Sequence, residues 1–166
     1  MIEIRSERRG DIPAIRSVQT RAFAKDQEAN IVDALRSNGA VTLSLVATWD
    51  DQVVGHILYS PAEIGHVIGA GLAPVGVLPE RQRQGIGSRL IEEGTRRLKA
   101  AGCPFIVVLG HADYYPRFGF RPARPLGITC EWDVPDDVFL VLMLEPESMR
   151  GVSGMVKYRN EFSVVS

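Results

Sequence analysis

The most constraining part of this 166-residue sequence is a strand, a glycine loop, a helix and a second strand that follow one another directly. Residues 67–78 are apolar with Gly and Pro interruptions, which predicts a buried strand with an irregular backbone. From Ile86 to Ala101 apolar residues recur at helical spacing, and Gly102 ends the pattern. Phe105–Leu109 is a fully apolar run typical of a buried strand. This order predicts a right-handed parallel crossover.

The flanking segments predict a mixed α/β arrangement. In chain order they are a strand over 1–6, helices over 11–23 and from Gln27 to Gly39, a hairpin of strands Leu43–Trp49 and Gln52–Ser60 joined by Asp50-Asp51, a short helical turn over Asp113–Phe118, and strands near Ile128–Trp132 and Val138–Leu144. The tail from Pro146 is weakly patterned. No composition step marks a boundary, so we predict one domain over 1–166.

Composition and charge narrow the classes of function. The chain has 19 Lys and Arg against 20 Asp and Glu, which gives no electrostatic reason to expect nucleic acid or anionic lipid as a partner. The N-terminus lacks the apolar core of a signal peptide, and no apolar run approaches the roughly 18 residues of a membrane span. The two cysteines, Cys103 and Cys130, cannot form a disulfide framework. We therefore expect a cytoplasmic protein.

The residues Gln82 to Gly87 lie between the irregular strand and the long helix. Glycines at such a junction bring backbone N–H groups close to a ligand, and the helix N-terminus adds positive potential, a combination that holds phosphate or pyrophosphate. The P-loop pattern is excluded because Ser88-Arg89 follows Gly87 where it requires Lys. The dinucleotide fingerprint is excluded because Leu90 stands where it requires Gly or Ala. A glycine turn without a ligand is the remaining alternative.

The same residues resemble the central motif of the GNAT-type N-acetyltransferase superfamily. That motif is Gln or Arg, two residues, Gly, one residue, and Gly or Ala, after a strand ending in Val; here Val75-Gly76-Val77-Leu78-Pro79 precedes Gln82 to Gly87. Residues 113–120 resemble the superfamily's Tyr-x-x-x-Gly-Phe segment, with Tyr115 at the Tyr position. Over nearly its whole length the chain is similar to the small bacterial YhbS-like branch.

The resemblance implies a GNAT-like α/β fold: a mixed, mostly antiparallel twisted sheet with helices on both faces and a cleft where the middle strands splay. It also implies acetyl-CoA as cosubstrate, no metal, and direct acetyl transfer to a primary amine. Main-chain groups of the strand would pair with the pantetheine arm, and amides of the loop would bind the pyrophosphate. The cofactor-binding residues implied are Val75, Val77, Gln82, Arg83, Gln84, Gly85, Ile86, Gly87 and Ser88. Arg89 could add a phosphate contact.

The resemblance also implies catalytic roles. Tyr115 is the expected general acid for the departing thiolate, with Tyr114 as the alternative. Glu63 and Glu28 are the candidate bases, because acceptor sites in similar enzymes lie between the early helices and the sheet. His111 stands where many members carry a cofactor-contacting Asn, and it is a candidate for that contact, for a base or for a helix cap.

Other readings stay open at this level. No Cys is paired with a His and Asp arrangement, which disfavours a covalent cysteine mechanism. The three histidines show no metal-ligand spacing. A coenzyme A-binding sensor without turnover, another acyl group, or another acceptor such as an alcohol are the alternatives. The acceptor, a small molecule or a peptide amine, is not specified by the sequence, and a homodimer is a possibility.

Overall fold

The computed structural model describes residues 1–165. The α-helices are α1 (Ile12–Phe23), α2 (Gln27–Ser37) and α3 (Ile86–Ala100). The strands are β1 (Ile2–Ser6), β2 (Leu43–Trp49), β3 (Gln52–Ile64), β4 (Val67–Val77), β5 (Phe105–Leu109), β6 (Arg121–Pro122), β7 (Ile128–Cys130), β8 (Phe139–Met143) and β9 (Gly154–Val156). Short 3₁₀ turns connect several of them. None of the helices in this range is long and apolar enough to cross a membrane.

The main sheet is mixed and mostly antiparallel, as predicted. Its order is β1-β2-β3-β4-β5-β8-β6, and the pairing of β4 with β5 is parallel. That parallel pair flanks α3 in the chain, which confirms the predicted strand–helix–strand unit. The pair is short, since only Ala70 with Ile106 and Gly71 with Val107 are in register.

Each face of the sheet has its own apolar core, because successive side chains in a strand point to opposite faces. On one face Val46 belongs to the same buried cluster as Leu35 of α2. Its neighbours Leu45 and Ala47 belong to a second cluster with Leu90 of α3. Helices α1 and α2 therefore cover one face and α3 covers the other, which confirms the predicted layers.

The two hairpins differ in how well the sequence predicts them. Asp50 and Asp51 have φ of 48° and 65°, the left-handed pair required by a two-residue type I′ turn, and the predicted first hairpin is correct. The predicted end of the next strand at Ser60 is wrong, because β3 continues to Ile64 and forms a second hairpin with β4. Pro61 within the run conceals that continuation, since proline usually marks a strand end or edge.

The C-terminal part departs further from the prediction. The strand predicted over Ile128–Trp132 is only Ile128–Cys130, and it pairs in parallel with β9 in a separate two-stranded sheet. Its partner Gly154–Val156 comes from the weakly patterned tail, where the sequence predicts no strand. The backbone of Lys157 also bonds Glu63 in both directions, at 2.8 and 2.9 Å. These pairings join segments far apart in sequence and leave no local periodicity.

A buried polar network ties β2 and β3 to α1. His56 is fully buried; its Nδ1 accepts a hydrogen bond from Gln19 Nε2 at 2.8 Å, and its Nε2 lies 2.8 Å from Ser44 Oγ. The Ser44 hydroxyl donates to Glu7 Oε1 at 2.7 Å, and Glu7 pairs with Arg36. Each donor thus meets an acceptor when His56 is neutral. Burial lowers the pKa of His56 from 6.5 to about 3.

The burial of His56 predicts that the protein becomes less stable as the pH falls. The unfolded chain takes up a proton on His56 near its ordinary pKa of about 6.5, whereas the folded chain does so only near pH 3. The contribution of neutral His56 to the free energy of unfolding is therefore complete above pH 6.5, and it is lost as the pH falls towards 3. Between pH 7.0 and 5.5 we expect the free energy of unfolding, measured by urea titration, to fall by about 1 kcal/mol through this group.

Two variants identify the group responsible. His56→Leu should flatten the dependence over this range, which lies above the pH at which carboxylates protonate. His66→Gln is the matched control, because His66 is exposed at the β3–β4 turn and its removal should leave the dependence unchanged. An unaltered slope in His56→Leu would contradict the assignment.

Candidate active site

The predicted phosphate loop is a turn that leaves the start of α3 open. Arg83 and Gly85 have φ of 64° and 82°, in the left-handed region. Gly85 is the N-cap of α3, and no side chain of residues 1–165 caps the helix. The first N–H groups of α3 therefore have no partner within the helix and carry the positive end of its dipole. A helix start of this kind is suited to an anion.

This turn forms one end of a cavity of about 1280 Å³, called here the main cavity. Eight of the nine predicted cofactor-binding residues line it: Val75, Val77, Gln82, Arg83, Gly85, Ile86, Gly87 and Ser88. Gln84 is exposed outside it. Arg89 also lies outside, and its guanidinium donates to the main-chain oxygen of Ile2 at 3.0 Å. Arg83 lines the cavity from the loop itself, and Arg81 and Arg117 line it from the neighbouring 3₁₀ turns.

The middle of the main cavity is the splay between β4 and β5, as predicted. Pairing stops after Gly71 and Val107, although β4 runs on to Val77. The amide of Leu78 bonds Val54 of β3, so by alternation the main-chain groups of Val75 and Val77 point away from β3. Apart from the Val77 oxygen, which accepts a hydrogen bond from the Gln82 side-chain amide, these groups form an open strand edge facing the cavity, where an extended amide-containing ligand can add as a strand.

Two tyrosines line the main cavity opposite this edge. The Tyr114 hydroxyl lies 2.9 Å from Ser88 Oγ, and its ring lies under the Arg117 guanidinium at 4.6 Å. Tyr114 therefore supports the first turn of α3. Tyr115 is buried, packs edge-to-face against Tyr114 and Phe120, and makes no hydrogen bond through its hydroxyl with the described residues. Of the two, Tyr115 has its hydroxyl available for a ligand.

Burial, together with the nearby Tyr114, raises the pKa of Tyr115 to about 12. The phenol thus stays protonated throughout the physiological range and is a hydrogen-bond and proton donor. Gly110 lies directly against its ring, leaving no room there for a side chain. His111 is exposed in the cavity wall, and its main-chain oxygen accepts the amides of Tyr114 and Tyr115 at 3.1 and 3.3 Å. That oxygen fixes the turn that orients both rings.

The two candidate carboxylates are separated by the fold. Glu28 lies on α2 and lines the main cavity, with a side chain only 17% exposed. One of its oxygens pairs with Lys25 at 3.6 Å, while Oε1 is buried without a hydrogen-bond partner among residues 1–165. Glu63 is exposed near the end of β3 and does not line the cavity. Of the two candidates, Glu28 is the one that lines the cavity, which the exposed Asp113 also lines.

Several residues of the cavity wall were not predicted. Phe23, Ile31 and Phe162 close the side formed by the early helices and the tail. They carry no motif and meet only through tertiary contacts. Both cysteines lie outside the main cavity; the Cys103 thiol donates to the Phe105 carbonyl, and burial raises the pKa of both thiols. Residues 1–165 contain no cluster of three or more potential metal-ligating side chains.

Comparison with known proteins gives a family for this fold and site. Residues 41–122 match the model of the acetyltransferase (GNAT) domain. The chain is 36% identical over 156 residues to the uncharacterized N-acetyltransferase YhbS of Escherichia coli, covering 92% of this chain and 93% of YhbS. It is 40% identical over 136 residues to the uncharacterized N-acetyltransferase YjhQ of the same species, covering 78% and 75%.

Two crystal structures have nearly the same fold. YhbS from Escherichia coli in complex with CoA superposes with a TM-score of 0.92 at 35% identity, covering 97% of this chain and 91% of YhbS. A GNAT family acetyltransferase from Brucella melitensis in complex with acetyl-CoA superposes with a TM-score of 0.83 at 40% identity, covering 98% and 99%. By its sequence, its sheet and its relatives, the chain belongs to the GNAT family of N-acetyltransferases.

Proposed function

We propose that this chain is an acetyltransferase that moves the acetyl group of acetyl-CoA directly to an amine held in the main cavity. The observation that carries the proposal is the convergence in one cavity of the uncapped start of α3, the free edge of β4 and Tyr115. These features suit, in order, a diphosphate, an amide-rich arm and a departing sulfur. The acetyl-CoA bound by the Brucella melitensis relative supports the same ligand here.

The residues present fit the diphosphate and the pantetheine arm of coenzyme A. The amides at the start of α3 would hold the diphosphate, with Arg83 adding charge, because these N–H groups have no internal partner. The edge at Val75 and Val77 would pair with the pantetheine amides. The side-chain amide of Gln82 already donates to the Val77 oxygen at 3.0 Å, so Gln82 fixes the loop against that edge.

When bound, acetyl-CoA supplies a thioester whose carbonyl carbon is open to attack by an amine. The protein's part is to hold the two reactants together, which makes the attack effectively intramolecular. Tyr115 holds a proton, and the buried hydroxyl can donate it to the leaving sulfur as negative charge develops. Glu28, with its unpartnered Oε1, can accept the proton released by the attacking nitrogen. No enzyme-bound acyl group is needed, in keeping with the two cysteines lying outside the cavity.

The cofactor site is tested by a matched pair of glycine variants. Gly85→Val places a β-branched residue at φ of 82° in the loop, and we expect it to weaken acetyl-CoA binding by about tenfold or more, measured by calorimetric titration. Gly102→Val is the control, because Gly102 has φ of 84° and ends the same helix, and a Cβ added at either glycine would meet no atom of residues 1–165 within 4 Å.

The control should lower stability through the same backbone strain and leave the dissociation constant unchanged. If the wild-type chain does not bind acetyl-CoA, the proposal is wrong and the loop is only a turn. Equal losses of affinity in both variants would place the effect in the stability of α3 and not in the loop.

The roles of Tyr115 and Glu28 are tested by steady-state kinetics. Tyr115→Phe should lower kcat about 10²-fold or more with little change in acetyl-CoA affinity, since the donor acts only on the leaving sulfur. Tyr59→Phe is the control, because Tyr59 is a buried tyrosine outside the main cavity. In the wild type we expect no loss of kcat between pH 8 and 10 from Tyr115, whose proton is lost only as the pH rises through about 12.

Glu28→Gln should lower kcat/KM most at low pH, where the acceptor is an ammonium ion, and the deficit should shrink as the pH approaches the amine's own pKa near 10. Glu63→Gln, outside the cavity, serves as its control and should match the wild type. A deficit that does not vary with pH would assign Glu28 a structural role.

A further inference from the structure

A second cavity of about 390 Å³ adjoins the main cavity at the splay. Leu72 and Ala73 of β4, Leu109 of β5 and Phe162 of the tail line both cavities. The second cavity therefore opens where β4 and β5 part, beside the place assigned above to the reacting groups. Its size is that of a pocket for a small-molecule body.

The walls of the second cavity are mainly apolar and aromatic. Trp132 and Tyr158 have ring centroids 5.0 Å apart, and Tyr158 packs edge-to-face on Phe162 at 5.6 Å. The Tyr158 ring covers Gly71, where an added methyl group would come within 2.9 Å of it. This aromatic cluster is held against the last paired residue of β4, so its shape is fixed by the sheet.

The lining of the second cavity carries only negative charge among the described residues. Asp133 is the one charged residue of its lining within the described chain, and it is exposed, at the open side. It makes no ion pair with residues 1–165, and no Lys or Arg of that range lines this cavity. The adjoining main cavity is lined by Glu28 of α2, whose Oε1 has no hydrogen-bond partner among residues 1–165, and by Arg81, Arg83 and Arg117. A cationic amine is favoured here, and a ligand carboxylate would meet Asp133 with no cation to pair with.

We infer that the second cavity is the acceptor pocket and that it selects a primary amine carried on an apolar, ring-bearing body without a carboxylate beside the nitrogen. The inference rests on the proposed function, since it assigns the substrate class of the same site. The ring lies among Trp132, Val134 and Tyr158, and the nitrogen points towards the main cavity and Glu28. Free amino acids and linear diamines are disfavoured, the first by charge and the second because they leave the apolar walls unfilled.

A matched set of acceptors tests the selection by acetyl transfer. We expect kcat/KM for 2-phenylethylamine to exceed that for phenylalanine, which adds only the carboxylate, by about tenfold or more. It should likewise exceed that for 1,4-diaminobutane, which lacks the ring. A preference for either of these two acceptors overturns the inference, while acetyl transfer itself still supports the proposed function.

Direct binding gives a readout that does not need turnover. The chain has two tryptophans, so Trp49→Phe leaves Trp132 as the sole tryptophan in the wall of the second cavity. With coenzyme A present, 2-phenylethylamine should change its fluorescence saturably and phenylalanine should not. No saturable change with the amine overturns the pocket assignment. Acetyl-CoA binding, followed separately by calorimetry, decides the proposed function.

Variants of Asp133 and Val134 test whether the second cavity determines the acceptor preference. Asp133→Asn should reduce the preference for 2-phenylethylamine over phenylalanine severalfold, whereas Asp137→Asn, an exposed aspartate outside both cavities, should leave it unchanged. Val134→Trp fills the second cavity at a residue that does not line the main one, and it should abolish amine binding while acetyl-CoA still binds. An unchanged preference in Asp133→Asn, or amine binding that survives in Val134→Trp, would contradict the assignment.

Discussion

Two main-chain pairings, Ala70 with Ile106 and Gly71 with Val107, join β4 to β5, and beyond them the strands part. The whole site depends on that short ladder. A longer one would satisfy the edge of β4 internally and leave no free main-chain groups for a ligand. The surroundings differ on the two faces where the β4–β5 pairing ends. The Tyr158 ring covers Gly71 on one face, and α3 packs on the other. Both cavities adjoin at this point.

The residues that line the main cavity come from both faces of the sheet. The loop and α3, packed on one core, provide the anion site and the support for Tyr114 through Ser88. Helices α1 and α2, packed on the other core, provide Glu28 and the apolar wall. Tyr115 and Glu28, the proton donor and acceptor that we propose, thus come from opposite layers and line the same cavity at the gap. A change that shifts one layer relative to the other would move Tyr115 away from Glu28, even if each side chain kept its own local contacts.

Local pattern accounts for much of this arrangement. The helices, the Asp50-Asp51 turn and the strand–loop–helix–strand unit follow from periodicity and from residues with special backbone conformations. The same reasoning could not choose between Glu28 and Glu63, because the difference lies in tertiary position. The continuation of β3 past Pro61 pairs with β4 and with the tail, and Phe162 reaches the cavity from a segment without any pattern. Contacts between distant segments leave no trace in a sequence window, whereas Gly85 and Tyr115 belong to contiguous motifs.

The open start of α3 links ligand concentration to the stability of the fold. No side chain among residues 1–165 caps this helix, so its first amides are open to an anion. A molecule that binds there only in the folded state adds to the free energy of unfolding by mass action, about 2.7 kcal/mol at a hundred times its dissociation constant. Because α3 packs against β1 to β4 on one face of the sheet, the melting temperature of the protein should depend on the occupancy of that helix start. With acetyl-CoA as that molecule, as we propose, its cellular concentration would set the lifetime of the protein as well as its turnover.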